Sequence, residues 1–183
     1  MASGINEDGS LKYFKTPQPT SKAAIASSNG DDESLRSLSP PELFKVDEHG
    51  NTSLIWAANS GHDSTVQYLL DIIEKEGGHD VINAKGYLGN TALARAARGG
   101  FVDCVKKLLK CPSINPDLCN DKEQYPLHFA SFKKHPDVVR VMLASGKCDT
   151  MVTDRKGRTP AEDTSVEEIK DMIINSRETK ATA

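Results

Sequence analysis

The chain has 183 residues, enough for one ordinary domain with tails. Hydrophobic residues make up 37% of it and aromatic residues only 5%, so small aliphatic side chains carry the apolar content and favour closely packed helices. The formal net charge of -3 argues against broad nucleic-acid binding. The sequence has no apolar run long enough to span a bilayer and no secretory signal pattern at its start, so we expect a soluble protein of the cytoplasm or nucleus.

Residues 1–36 are rich in Ser, Thr, Pro, Gly, Asn and charge, and their apolar residues follow no helical or strand period. Such a segment buries too little apolar surface to offset the entropy of ordering, so it predicts a disordered tail. Within it, residues 10–29 contain three lysines and no acidic residue, which leaves an organelle transit segment as the alternative.

The first ordered element is predicted at Ser39-Pro40-Pro41-Glu42. Ser39 suits an N-cap, Pro40 the first helical position and Glu42 the third position of a capping box. This pattern predicts a short helix that caps the first repeat.

One pattern occurs four times along the chain. It reads Gly-Asn-Thr-Ser-Leu-Ile-Trp-Ala-Ala from residue 50, Gly-Asn-Thr-Ala-Leu-Ala-Arg-Ala-Ala from 89, Glu-Gln-Tyr-Pro-Leu-His-Phe-Ala-Ser from 123 and Gly-Arg-Thr-Pro-Ala from 157. After each copy comes an aliphatic residue followed three and four places later by an apolar pair, as in Val66, Leu69 and Leu70. That spacing places the three side chains on one helical face, and a single unit cannot bury such a face alone. The units must therefore stack.

This period and the Thr-Pro-Leu-His-x-Ala-like pattern resemble the ankyrin repeat. The resemblance implies an all-α solenoid of helix–turn–helix units joined by short β-hairpin-like links. We place this domain at residues 37–176, with repeats near 47–80, 86–119 and 120–153, a C-terminal cap at 154–175 and a flexible C-terminus at 177–183.

Three departures from the pattern predict local differences. Five extra residues near 73–80 predict a longer second helix in repeat one, ending at Gly77-Gly78. Lys134 replaces a turn glycine in repeat three, which predicts strain there. Repeat four is shorter by about one helical turn, which suits a terminal cap.

The sequence offers no catalytic motif, metal-ligand spacing or cofactor loop, so we expect neither an enzyme nor a bound cofactor or metal. The four cysteines lack two-residue spacing and are expected to be reduced packing residues. His62 and His128 occupy positions at which the resemblance implies structural hydrogen bonds.

The resemblance further implies that a partner protein binds the link tips and the outward face of the first helices, on a concave surface. The positions that carry over are Glu48, His49, Asn59, Tyr87, Leu88, Arg98, Lys122, Phe132, Lys133 and Arg155. Exposed apolar residues mark contact anchors, so Tyr87, Leu88 and Phe132 are the most informative, although Phe132 also suits packing under its turn.

Three residues share one slot of the pattern. Trp56 and Phe129 there are predicted to be core residues. Arg95 occupies the same slot in repeat two, where it either lays its stem over apolar surface or pairs with a carboxylate.

Charge is uneven along the repeats: residues 47–88 hold 2 basic and 7 acidic residues, whereas residues 89–146 hold 9 basic and 5 acidic residues. The leading hypothesis is a protein-binding adaptor or inhibitory regulator that is monomeric on its own. The alternative is a basic-face binder of nucleic acid or anionic lipid through repeats two and three.

Overall fold

The computed structural model describes residues 17–181, which form stacked pairs of helices and contain no β-strand. The α-helices of this region are α1 (Lys22–Asn29), α2 (Asp32–Arg36), α3 (Pro40–Phe44), α4 (Ser53–Ser60), α5 (Asp63–Glu76), α6 (His79–Ile82), α7 (Ala92–Gly99), α8 (Val102–Lys110), α9 (Pro126–Phe132), α10 (Pro136–Ala144) and α11 (Glu167–Ala181). A 3₁₀ turn at Tyr87–Gly89 precedes α7.

The helices form two layers. An inner layer stacks α1, α4, α7 and α9, and an outer layer stacks α2, α5, α8, α10 and α11. The apolar triplets of the second helices lie between the layers: Val66, Val105 and Val139 are each fully buried. The stacking predicted from the repeat period is confirmed.

Local sequence explains where the inner helices begin and end. The Thr52 and Thr91 hydroxyls each accept a hydrogen bond of 3.2 Å from the backbone N–H three residues later, so they act as N-caps. Gly61 ends α4 in the left-handed conformation with φ of 79°, which costs glycine little. The chain then reverses into the outer helix.

A ring from each following repeat covers the glycine that ends the inner helix before it. A Cβ on Gly30 would lie 2.7 Å from His62 Nδ1, and one on Gly100 would lie 2.8 Å from two atoms of the His135 ring. The ring of Phe101 covers Gly61 in the same way. A larger residue is therefore disfavoured at each of these glycines, both by the backbone conformation and by the ring from the next repeat.

The disordered tail predicted over residues 1–36 is wrong for residues 22–36, which form α1 and α2. Ala23, Ala24 and Ala26 are buried, and α1 packs against α4 as α4 packs against α7. A further repeat therefore precedes the first predicted one. Residues 17–21 form no helix, and residues 1–16 of the predicted tail lie outside the described residues.

The N-terminal helices also change two other expectations. The transit-segment alternative over residues 10–29 includes α1, whose Ala23, Ala24 and Ala26 side chains belong to the core. Helix α3 forms as predicted, with the Ser39 N–H donating a 2.9 Å hydrogen bond to the Glu42 carboxylate, but it follows a repeat instead of beginning the array.

At the other end, the flexible C-terminus predicted from residue 177 is wrong for residues 177–181, which belong to α11. The Arg177 side chain donates a 2.7 Å hydrogen bond to the Thr150 carbonyl and ties this helix to the link before it. Residues 160–163 form a turn instead of a first helix, in agreement with the shortened interval.

The other predicted departures are present. Helix α5 has 14 residues against 9 for α8 and 9 for α10, and it ends at Gly77 with φ of 84°. Lys134 takes the left-handed conformation with φ of 62°, and so does Glu123 with φ of 58°. Both are positions where other repeats use glycine, so repeat three carries backbone strain. Within residues 17–181 no helix is long and apolar enough to cross a membrane.

Candidate partner-binding surface

A buried polar side chain organises three of the four link tips. The Oδ1 atom of Asp47 accepts hydrogen bonds of 2.9 Å from the backbone N–H groups of His49 and Asn51. Asn120 and Asp154 do the same at the third and fourth tips. Each tip is also closed by a backbone hydrogen bond across a turn, so the tips have the hairpin-like form implied by the resemblance.

The second tip uses a different arrangement, since Gly86 occupies the equivalent position. The Asn51 side chain from the preceding repeat accepts a 2.9 Å hydrogen bond from the Tyr87 N–H. A Cβ on Gly86 would collide with the Asn51 side-chain oxygen. The first repeat therefore fixes the tip of the second.

Contacts between neighbours bring the four tips into one row. The rings of His49 and Tyr87 meet edge to face with centroids 6.4 Å apart. The Asp121 N–H donates to the Leu88 carbonyl at 3.2 Å, and the Arg155 guanidinium donates to the Asp121 carbonyl at 2.5 Å. We call the row of tips, together with the exposed C-terminal ends of α4, α7 and α9, the tip face.

The ten residues predicted to contact a partner all belong to the tip face, but they differ in exposure. Phe132 is 54% exposed and Leu88 47% exposed, whereas Tyr87 and His49 are half-buried against each other. The others are exposed: Glu48, Asn59, Arg98, Lys122, Lys133 and Arg155. That they bind a partner stays a prediction.

Phe132 does not pack under its turn, which was the alternative interpretation of this residue. Its ring projects from the end of α9, and the Lys133 ammonium lies 5.5 Å from the ring centroid. A cation over an aromatic face is weakly attractive at an exposed site. The pair presents an apolar surface next to a positive charge.

The core prediction for Trp56 and Phe129 is confirmed, because they are only 6% and 8% exposed. The indole of Trp56 also donates to the Asp47 carboxylate. Arg95, in the same slot, does not pair with a carboxylate of the described residues: its Nη2 donates a 3.1 Å hydrogen bond to the Tyr87 backbone carbonyl. That its stem lies over apolar surface stays a prediction.

The Arg95 guanidinium has no carboxylate partner among the described residues, and its buried Nε lacks any hydrogen-bond partner there. Burial lowers the pKa of Arg95, and the neighbouring Arg98 lowers this pKa further. The sequence pattern does not reveal this pairing, because the contact depends on how the second tip folds back over α7.

The structural role predicted for two histidines is confirmed. His128 is fully buried with its Nε2 2.8 Å from the Arg158 carbonyl, and His62 Nε2 lies 3.0 Å from the Ser28 carbonyl. His135 makes the equivalent contact to the Arg98 carbonyl at 3.1 Å. The role of His135 was not predicted, although His135 follows the left-handed turn residue Lys134 as His62 follows Gly61.

No disulfide joins the four cysteines, all of which lie in the described part of the chain, and burial raises the pKa of the Cys104 thiol to about 11. A thiol with such a pKa is unreactive at neutral pH. Among the described residues there is no group of three or more His, Cys, Asp or Glu arranged to hold a metal ion.

The five-residue insertion also shapes the opposite side of the molecule. A groove of about 450 Å³ lies between α5, α6 and α8. Asp71 and Glu74 on α5 line it, together with Lys107 and Lys110 on α8. The groove therefore has an acidic and a basic wall, away from the tip face.

Comparison with known families agrees with this geometry. A model of three ankyrin repeats matches residues 23–118, and a model of the single ankyrin repeat matches residues 122–155. The chain belongs to the ankyrin-repeat family. The ankyrin match begins inside α1, so it includes the N-terminal repeat that the sequence pattern did not show. Ankyrin repeats are a protein-interaction module and a non-catalytic fold.

Curated ankyrin-repeat proteins resemble this chain over part of their length. The E3 ubiquitin-protein ligase XBAT33 of Arabidopsis thaliana is 34% identical over 124 residues, which are 66% of this chain and 22% of the ligase. The putative E3 ubiquitin-protein ligase XBAT31 of the same plant is 29% identical over 67% of this chain and 28% of its own length. The ankyrin repeat and KH domain-containing protein mask-1 of Caenorhabditis elegans is 28% identical over 56% of this chain. The chain thus spans about a quarter or less of these proteins.

Proposed function

We propose that this ankyrin array is an adaptor or inhibitory regulator, acting in the cytoplasm or nucleus, and that it binds a partner protein through the tip face. The observation that supports this proposal most directly is the exposure of Leu88 and Phe132 on one row of tips and helix ends. Neither side chain contributes to the core, and large exposed apolar residues are typical of interaction surfaces.

The rigidity of the surface also favours binding. Side-chain and backbone hydrogen bonds hold each tip, and further hydrogen bonds or ring contacts join each tip to the next. A surface that is already ordered loses little conformational entropy when a partner docks. The rows of tips and helix ends thus favour one fixed binding geometry.

The test begins with affinity purification of partners and their identification by mass spectrometry. The purified partner is then titrated against the wild-type chain and against Tyr87→Ala combined with Phe132→Ala. We expect binding at least about tenfold weaker for the double variant, since interface aromatics commonly contribute more than 1 kcal/mol each.

Met151→Ala is the matched control, because Met151 is 58% exposed but lies on the link between α10 and the fourth tip, not at a tip itself. It should bind as the wild type does. Equal binding by all three proteins would contradict the tip face as the docking surface.

An inhibitory regulator lowers the partner's activity in a purified assay, whereas an adaptor forms a three-protein complex without that loss.

A further inference from the structure

The guanidinium of Arg95 is a charge that the fold leaves uncompensated. Arg95 sits on α7 in the slot that neighbouring inner helices fill with Trp56 and Phe129. Its contact in the described residues is a neutral carbonyl, that of Tyr87, and its Nε is buried without a partner. A partly desolvated cation without a counter-ion costs free energy, and an approaching anion recovers part of that cost.

Two neighbours make this position suited to an anion. Arg98 lies one turn further along α7, is exposed, and acts electrostatically on Arg95. Tyr87, whose carbonyl orients the Arg95 guanidinium, is held from its other side by the His49 ring. The two guanidinium groups supply several N–H donors, and the Tyr87 phenol is close enough to act electrostatically on Arg95. Donors of this kind recognise carboxylates.

We propose that Tyr87, Arg95 and Arg98 form a carboxylate-binding site, and that its occupant is an Asp or Glu side chain in an extended acidic segment of the partner protein. The inference rests on the proposed function, because this site lies within the tip face.

The surroundings favour an acidic peptide. Exposed basic residues continue along the tip face from the site toward the C-terminal repeats, at Lys122, Lys133, Arg155 and Lys156. Phe132, at the position on α9 equivalent to Arg98, offers an apolar contact beside this charge. The matching ligand has acidic residues and one apolar residue on the same extended strand.

A nucleic acid fits the same surface less well. Glu48, Asp121 and Glu123 are exposed among the tips, and they repel a continuous row of phosphates. A peptide with separated carboxylates avoids these acidic residues, and for this reason we favour carboxylate over phosphate at the site.

The experiment selects displayed random peptides of about twelve residues on the immobilised full chain, on Arg95→Met and on the charge-matched control Lys110→Met. Lys110 is exposed on the outer helix α8, away from the tip face. We expect Asp or Glu to be enriched at one peptide position on the wild type and on Lys110→Met, and this preference to be lost on Arg95→Met.

Fluorescence anisotropy with the amidated consensus peptide then measures the energetic coupling between Arg95 and the acidic residue of the peptide. Arg95→Met should weaken binding about tenfold or more, and a Glu→Gln change at the enriched peptide position should add little further loss in that variant. Arg98→Met provides a second test, because Arg98 is exposed and its removal leaves the core unchanged. Circular dichroism checks that every variant is folded.

The outcomes separate the two proposals. Peptides that bind the tip face without an acidic preference, equally on Arg95→Met, would overturn the carboxylate site and leave the proposed function standing. Tight, Arg95-dependent binding of a labelled single-stranded oligonucleotide, with no acidic peptide selected, would also overturn it in favour of a phosphate ligand. Recovery of no peptide at all would count against both proposals.

Discussion

The indole Nε1 of Trp56 donates a buried 2.7 Å hydrogen bond to Asp47 Oδ2, while Oδ1 of the same carboxylate accepts the two backbone N–H groups of the first tip. One aspartate thus joins an inner-helix core residue to the tip. This contact couples the packing of α4 to the conformation of the surface proposed to bind a partner.

Asp47→Ala should lower the free energy of unfolding by about 3 kcal/mol, because it leaves three donors without their acceptor. Asp47→Asn should cost about 1 kcal/mol, since its oxygen still serves the tip while its NH₂ faces the indole N–H. Urea unfolding followed by circular dichroism measures both values. Equal losses for the two variants would contradict the separate roles of the carboxylate oxygens.

Arg95→Met should raise the free energy of unfolding by about 1 kcal/mol, even as it weakens binding of an acidic peptide. The substitution removes a half-buried charge from a slot that is apolar in the neighbouring repeats, and the Tyr87 carbonyl keeps its hydrogen bond from the Asn90 side chain. Thermal unfolding at low and high salt provides the measurement. A clear loss of stability would mean that contacts within the folded chain already compensate the charge of Arg95, without a ligand.

Lys134→Gly should stabilise the chain by about 1 kcal/mol, because Lys134 has φ of 62° at the position where Gly61 and Gly100 end other inner helices. Lys133→Gly is the matched control: its φ of -81° is ordinary, so glycine there should be destabilising. The two variants carry the same change in charge. Apart from the weak contact of Lys133 with the Phe132 ring, they differ in backbone conformation, and a denaturant titration compares their stabilities.

Asp154→Ala should destabilise the fourth tip by about 2 kcal/mol near neutral pH, whereas Asp154→Asn should retain most stability, as Asn120 does at the third tip. Burial alone would raise the pKa of Asp154, but hydrogen bonds from Arg158 and Lys156 outweigh it and hold the pKa below its ordinary value of 3.8.

Because the pKa of Asp154 is lower in the folded chain, its contribution is complete above about pH 4 and is lost as the pH falls through the folded-state pKa. The stability difference between the wild type and Asp154→Ala should therefore shrink in acid. A difference that does not change between pH 7 and pH 2 would contradict the role of the ionised carboxylate.

The sequence predicted the four repeats that share the tip and first-helix pattern, three of them with Gly-x-Thr, and missed the N-terminal repeat. The sequence before α1 contains no Gly-x-Thr, and the second helix of this repeat is divided into α2 and α3 by the run from Ser37 to Ser39. The signal that remained is the Ser21 cap and Gly30, each 31 positions before Thr52 and Gly61. The N-terminal repeat has ordinary core residues, but its irregular spacing prevented its prediction from the sequence.

The exposure of the tip-face residues followed from the repeat pattern, but their contacts did not. The pairing of Arg95 with the Tyr87 carbonyl and the meeting of His49 with Tyr87 join segments 8 and 38 residues apart, through a tip that departs from the pattern at Gly86. Local propensity and periodicity contain no information on such contacts. They depend on how successive repeats are rotated and stacked.

The rings that cover Gly30, Gly61 and Gly100 imply that a repeat of this protein is not a self-sufficient building block. Each junction between two repeats needs a glycine in one repeat and a covering ring, that of His62, Phe101 or His135, in the next. If one repeat is moved into another array, or if these repeats are reordered, the packing is preserved only where each glycine still meets a covering ring from the following repeat.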